Sequence, residues 1–318
     1  MKPSHLIFLL LANFFWGGVY SAYKVLGQHL SPGGIVTLRF TLAALCFLPL
    51  WPFLRGPAPR GRCLFYACLM GVLHFVLGQR LQVWATQLGT ASNSAVLMAL
   101  EPLLTSVAAA VFLREHLGPR RLAGFVLGIC GVALLNRVWR SDFQWAGLAP
   151  SLIFISSFGC ETAYSILGKP IVARASAAKT VAVSLLAGTV VNLLLDGPQT
   201  LRAAQTLPLQ AWVLLLGLAI ICTVLGYTLW LVVIRDCPVN VAALTIFAQS
   251  VFGVGIAALW VHEKPHWGHL FGTLTIAAGL VLGLSRQIHR PATAQPTQPP
   301  PRERERPREP RQAEGGRE

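Results

Sequence analysis

Four ionisable side chains, Arg39, Arg80, Glu101 and Glu161, stand inside long apolar runs of the sequence. A charge placed in hydrocarbon costs at least about 2.5–3.5 kcal/mol, so such a residue marks a task or a pairing. Glu101 falls near the middle of its run and is followed at once by Pro102. Proline removes a backbone donor and strains the turn before it, which frees carbonyl oxygens beside a carboxyl. That arrangement suits a cation or ammonium site, or a carboxyl that carries a coupling proton. The alternative is a Glu that fixes helix packing. Trp16, Tyr20, Trp84, Tyr164, Tyr227 and Trp230 supply walls for a cavity, or an interfacial belt. His74 reads more readily as a hydrogen-bonded packing residue than as a proton relay.

One motif suggests different chemistry. His262-Glu263-Lys264-Pro265-His266 matches HExxH, with His269 nearby. A zinc hydrolase needs both histidines on one face of a continuous helix, and Pro265 breaks that geometry. A metalloenzyme is therefore a minor alternative, and neither metal nor cofactor is expected. No P-loop, dinucleotide fingerprint or nucleophile elbow occurs, which argues against transport driven by ATP within this chain.

These residues need helices in a bilayer to position them. The chain has 318 residues, 54% hydrophobic and 12% charged, with mean hydropathy +0.58. A soluble domain carries about 25% charged residues. Apolar runs long enough to span hydrocarbon predict helices over His5–Lys24, Gly34–Phe53, Cys63–Thr86, Ser92–Leu113, Leu122–Val138, Ala146–Gly168, Ala178–Leu195, Ala211–Ile234, Asn240–Val261 and His269–Arg286. The first is expected to be retained, since no small-residue cleavage site follows it. The net charge of +14 reports orientation rather than nucleic-acid binding. Lys2, Arg55, Arg60, Arg62, Arg114, Arg120, Arg121, Lys169, Arg174, Lys179, Arg235, Arg286 and Arg290 fall on one side, against Lys24, Arg137, Arg140, Arg202 and Lys264. That bias puts both termini in the cytoplasm. The seven cysteines are odd in number and mostly intrahelical, so they read as small apolar fillers.

The halves repeat. An offset of 148 places Gly78 on Gly226, Ala95 on Ala243, Glu115 on Glu263, Leu122 on Leu270, Gly124 on Gly272 and Gly131 on Gly279. It also sets Gln249-Ser250 opposite Glu101-Pro102, while Tyr20-Ser21 meets Tyr164-Ser165 at an offset of 144. Five helices per half is odd, so the halves enter the membrane from opposite sides, an inverted repeat. Residues 1–138 form the first unit and 139–286 the second. Residues 287–318, Pro-rich and alternately charged, form an expected disordered cytoplasmic tail. Gly124–Gly128 and Gly279–Gly283 are GxxxG faces for helix packing within the chain, or for a homodimer through helices 5 and 10.

The segments FWGGVYSAYK, LRF in helix 2 and ALEPLLTSVAAAVFLREHLGPRRLAGFVLGICGVALL resemble the drug/metabolite transporter superfamily. Its EamA-like branch, with two five-helix repeats, is the most similar, and the resemblance spans about residues 5–286. It implies an all-α integral-membrane fold of ten helices, with a central cavity lined by helices 1, 3, 4, 6, 8 and 9. Export of amino acids or related metabolites by alternating access is the implied activity, with lipophilic-cation efflux as the alternative. The substrate is then a small molecule, with a coupling proton as a second ligand, in a bacterial plasma membrane. Candidate binding residues are Glu101, Gln249, Tyr20, Trp16, Tyr164, Glu161, Arg80, Tyr227 and Trp230; Pro102, Gly124, Gly128, Gly279 and Gly283 are structural. Ser250 stands where the family often carries a second proline matching Pro102, so the resemblance does not imply that helices 4 and 9 bend equally.

Overall fold

A computed structural model of the chain describes residues 3–104, 119–137, 145–236, 242, 245–264 and 266–288. Among the described residues ten helices follow in order. They are α1 (Pro3–Leu26), α2 (Pro32–Leu50), α3 (Arg62–Leu88), α4 (Ala91–Leu97, then a 3₁₀ turn Met98–Leu100, helical on to residue 104), α5 (Pro119–Asn136), α6 (Ala149–Ser156 and Phe158–Val172), α7 (Ala177–Ala204), α8 (Leu209–Asp236), α9 (Ile246–Trp260) and α10 (Trp267–Ile288). Local chemistry sets several of the starts. Ser31 caps α2, its Oγ accepting the Gly34 N–H at 3.1 Å with Pro32 at the first helical position; Thr90 caps α4 through the Asn93 N–H at 3.1 Å. The expected end of helix 4 at Leu113, Glu115, the start of helix 9 at Asn240, Ala243, Pro265 and the tail beyond Ile288 lie outside the described residues. α7 runs on to Ala204 instead of stopping at Leu195, because Asp196 and the buried Thr200 and Ala204 find partners or packing there.

The distribution of side chains is that of a membrane protein. Leu194, Leu209 and Leu259 are 80%, 79% and 81% exposed, whereas Arg39 and Glu101 are 2% and 4% exposed. Water would penalise the first set and hydrocarbon the second, so the outer surface faces lipid and the polar groups lie inside. Among the described residues five helices are each long and apolar enough to cross a bilayer, and shorter apolar stretches, Val126–Asn136 and Ala248–Trp260, lie within α5 and α9.

The two halves are related by a pseudo-two-fold axis, and its signature is reciprocal contacts. Thr37 Oγ1 donates to the Asn192 carbonyl at 3.5 Å, and Thr189 Oγ1 donates to the Phe40 carbonyl at 3.1 Å. Thr37 and Thr189 are 152 residues apart, as are Phe40 and Asn192, so α2 and α7 meet face to face at the axis. α5 and α10 cross in the same way. A Cβ on Gly272 would lie 3.0 Å from the Gly131 carbonyl oxygen, and one on Gly279 2.7 Å from that of Gly124. Gly124, Gly131, Gly272 and Gly279 are thus used between α5 and α10 of one chain, where small residues let backbones approach, whereas Gly128 faces Leu100 and Leu103 of α4. A homodimer through these two helices would have to use their other sides. α4 and α9 differ locally: the 3₁₀ turn Met98–Leu100 directly precedes Glu101-Pro102, while α9 is regular through Ser250.

The paired-glutamate signal of the sequence has a structural explanation in Glu263. α9 ends where His262 adopts a left-handed φ of 55° and the Glu263 N–H returns to the Ala257 carbonyl at 3.2 Å. That turn sends the Glu263 carboxyl to the start of α4. It accepts the N–H groups of Ala91 and Ser92, each at 2.8 Å, and the Ser92 hydroxyl at 2.6 Å. A carboxylate here satisfies orphan donors and complements the helix dipole, across the two halves. Glu263→Ala should cost about 1–3 kcal/mol, read as a lower melting temperature of purified protein. An unchanged melt would show that water replaces the cap.

Candidate functional site

Between the halves lies a small cavity of about 60 Å³. One wall is polar. Gln79 and Gln82 of α3, Glu101 of α4 and Glu161 of α6 reach it, with Arg39 of α2 beside them. The Glu161 carboxyl organises this side: Oε1 accepts from Gln82 Nε2 at 2.8 Å and Gln79 Nε2 at 3.4 Å, and Oε2 lies 3.2 Å from His74 Nδ1. The other wall is aromatic. Trp16 of α1 lies 5.7 Å from Tyr227 and 6.3 Å from Trp230 of α8, ring centre to ring centre. Tyr20 and Gln249 close it through a hydrogen bond from Gln249 Nε2 to the Tyr20 hydroxyl at 2.9 Å.

Symmetry explains the two unlike walls. The repeat sets Gln79 against Tyr227, Gln82 against Trp230, Glu101 against Gln249 and Glu161 against Gly17. Each axis-related pair joins a polar group to an aromatic, a weaker polar group or nothing. A guest would therefore meet charge on one side and apolar surface on the other.

Both walls are aimed by departures from regular helix. α3 is π-helical over Leu73–Gly78, and α8 over Leu218–Leu225. A π turn widens the ladder and leaves a carbonyl short of its usual donor. Asn192 Nδ2 satisfies the Phe75 carbonyl at 2.9 Å, and Trp16 Nε1 satisfies that of Cys222 at 2.8 Å. Gly78 and Gly226 end the two stretches and admit neighbours from α6 and α1: a Cβ there would lie 2.8 Å from Cys160 Cβ and 2.9 Å from Trp16 Nε1.

Of the residues expected at a site, Trp16, Tyr20, Glu101, Glu161, Tyr164, Tyr227, Trp230 and Gln249 line this one cavity. Arg80 does not. It pairs with Asp196 and donates twice to Asn192 Oδ1, at 3.0 and 2.8 Å, tying α3 to α7. Trp84 is likewise no wall of the cavity; it is 46% exposed on the outer face. Arg39, Gln79 and Gln82 add to the lining, with Val19, Met98, Ser165 and Ile246. The sequence singled out Arg39 by its charge without placing it among the binding residues, and the two glutamines were not expected there. The signal for the glutamines was their spacing of three, which puts both on one helix face, while Arg80 between them points elsewhere. His74 sits in an aromatic cluster, 4.6 Å from Tyr164 and 5.0 Å from Tyr227.

The described residues of the HExxH segment show no metal geometry. Residues 262–264 are not helical and Glu263 is engaged as a cap. The His266 N–H donates to His269 Nδ1 at 3.1 Å, and burial, with His269 and Arg137 nearby, pushes the His266 imidazole down to about 4. Among the described residues no group of three or more metal-ligating side chains converges.

A family model described as the EamA-like transporter family matches the chain twice, over residues 3–137 and 148–285. The chain belongs to the EamA-like transporter family. It is 24% identical to a probable terminal-alkyne amino-acid exporter of Streptantibioticus cattleyicolor, over 91% of this chain and 97% of that protein. It is also 24% identical to a probable amino-acid metabolite efflux pump of Escherichia coli, over 87% and 94%. A crystal structure superposes with a TM-score of 0.63 at 17% identity, covering 91% of this chain and all of that one, which is a likeness of fold. The EamA-like family and these relatives are transporters, not enzymes.

Proposed function

We propose that the protein exports a small zwitterionic metabolite of the amino-acid type across the plasma membrane by alternating access. The observation that carries this reading is the cavity between the halves, with carboxyls on one wall and aromatic rings on the other. Residues 1–138 and 139–286 act as the two rocking units around it, with both termini on the cytoplasmic side as the Lys/Arg bias of the loops requires. Glu101 or Glu161 takes the substrate ammonium or the coupling proton. The names of the two amino-acid exporters among the relatives point the same way.

Counterflow in proteoliposomes tests it. Vesicles preloaded with an unlabelled common L-amino acid should accumulate the labelled one, and protein-free vesicles should not. Exchange of tetraphenylphosphonium or ethidium with no exchange of any amino acid would replace this reading by lipophilic-cation efflux.

A further inference from the structure

Arg39 is 2% exposed, and its guanidinium is held by neutral groups. Nε donates to Thr223 Oγ1 at 3.0 Å, and Nη1 donates to the Tyr23 hydroxyl and to Gln79 Oε1 at 3.3 Å. Cζ lies 5.1 Å from the Phe40 ring centre and 5.8 Å from that of Tyr23. Neutral acceptors and ring faces orient a guanidinium but do not cancel its charge, and a desolvated cation without a counter-ion is costly. Among the described residues no carboxylate stands within ion-pair distance of Arg39, and none accepts a hydrogen bond from Nη2. Arg80 is the contrast: a membrane arginine whose role is structural, matched by Asp196.

Three further observations separate Arg39 from a packing residue. It lines the same cavity as Glu101 and Glu161. Three anchors from α1, α3 and α8 fix its fork before anything binds, which lowers the ordering cost of capture. The two-fold places Val191 opposite it, at the offset of 152 that pairs Thr37 with Thr189, so the repeat does not need a cation here.

We propose that Arg39 binds the carboxylate of the transported molecule. This rests on the transport reading above. A free edge of a planar guanidinium suits a carboxylate, and the substrate's ammonium then turns to Glu161 or Glu101 in the same cavity. Its side chain meets the Trp16, Tyr227 and Trp230 wall. The ligand class is the α-amino acid with an apolar side chain. Amines, amides and esters of the same skeleton lack the anion and are rejected.

Wild type, Arg39→Gln and Arg39→Lys are compared as full chains, by ligand-induced thermal shift and by counterflow. The probes are L-leucine with L-leucinamide, and L-phenylalanine with L-phenylalaninamide. Wild type should prefer acid over amide by about tenfold or more, as expected for a charge-assisted contact. Arg39→Gln should bring that ratio close to one by weakening the acid alone. If Arg39→Gln does not fold, Arg39→Lys decides: a weakened acid with unchanged amide supports the assignment, and unchanged affinities for both overturn it. A variant that keeps the wild-type ratio while still exchanging amino acids overturns the role of Arg39 and leaves amino-acid transport standing. Wild type that exchanges amines or lipophilic cations and no amino acid defeats both.

Discussion

Glu161→Gln should abolish pH-gradient-driven transport, lowering substrate accumulation by about tenfold or more, while the protein still inserts and folds. The substitution keeps shape and one carbonyl acceptor for Gln82 Nε2, now at 2.8 Å from Oε1, and removes the group able to exchange a proton. His74, with Nδ1 at 3.2 Å from Oε2, then faces an amide that cannot titrate. Glu101→Gln, at the other carboxyl of the cavity, should weaken either substrate affinity or the pH dependence. Flux into proteoliposomes under an imposed pH gradient, beside counterflow without one, distinguishes these losses. Structural carboxyls would give the reverse pattern: lower yield or melting temperature in both variants, with the surviving protein transporting at wild-type pH dependence. That pattern would sink the coupling role.

Gly71→Ala should be among the most damaging single-methyl changes in the chain. Gly71 of α3 packs against the backbone of α7, and an added Cβ would fall inside the contact radius of the Ser184 carbonyl oxygen. Gly188 approaches from the same helix, its own Cβ position 2.9 Å from the Gly71 carbonyl oxygen. Backbone cannot turn aside as a side chain can, so the strain should reach about 3 kcal/mol or more. Gly159→Ala is the control, because nothing lies within 4 Å of its Cβ position. There the methyl should be neutral or stabilising by up to about 1 kcal/mol through helix propensity. Melting of the two purified variants should therefore move apart. Coincident melts would contradict the α3–α7 contact.

The helices and the repeat were legible because hydrocarbon imposes a long apolar run and duplication leaves paired glycines. Glu101, Glu161 and the aromatic partners were legible for a related reason, since polar and ring-bearing residues are conspicuous against leucine. Arg80 shows the limit. Charge singled it out, but charge carries no direction, and direction on a helix depends on phase. Gln79 and Gln82 share a face and reach the cavity, while Arg80 turns to Asp196 and Asn192. The pairing of α2 with α7 was hidden because only Thr37 and Thr189 mark its offset of 152. The π stretches were hidden too, because LHFVLG and LAIICTVL contain nothing that a regular helix would reject.

Those two stretches act on helical phase. A π turn holds one residue more than an α turn, so the helix beyond it is rotated by roughly 100° from where a uniform α-helix would carry it. In α3, Gly71 lies before the surplus residue and addresses α7, while Gln79 and Gln82 lie after it and address the cavity. In α8, Tyr227 and Trp230 stand likewise beyond Leu218–Leu225. A straight helix would set one half of each element correctly and mis-aim the other. The lengths of α3 and α8 are therefore fixed to the residue, as the teeth of a gear are, even where composition is free to drift. A one-residue deletion inside either stretch would leave an apolar helix that still spans the membrane, with its polar or aromatic face turned into lipid.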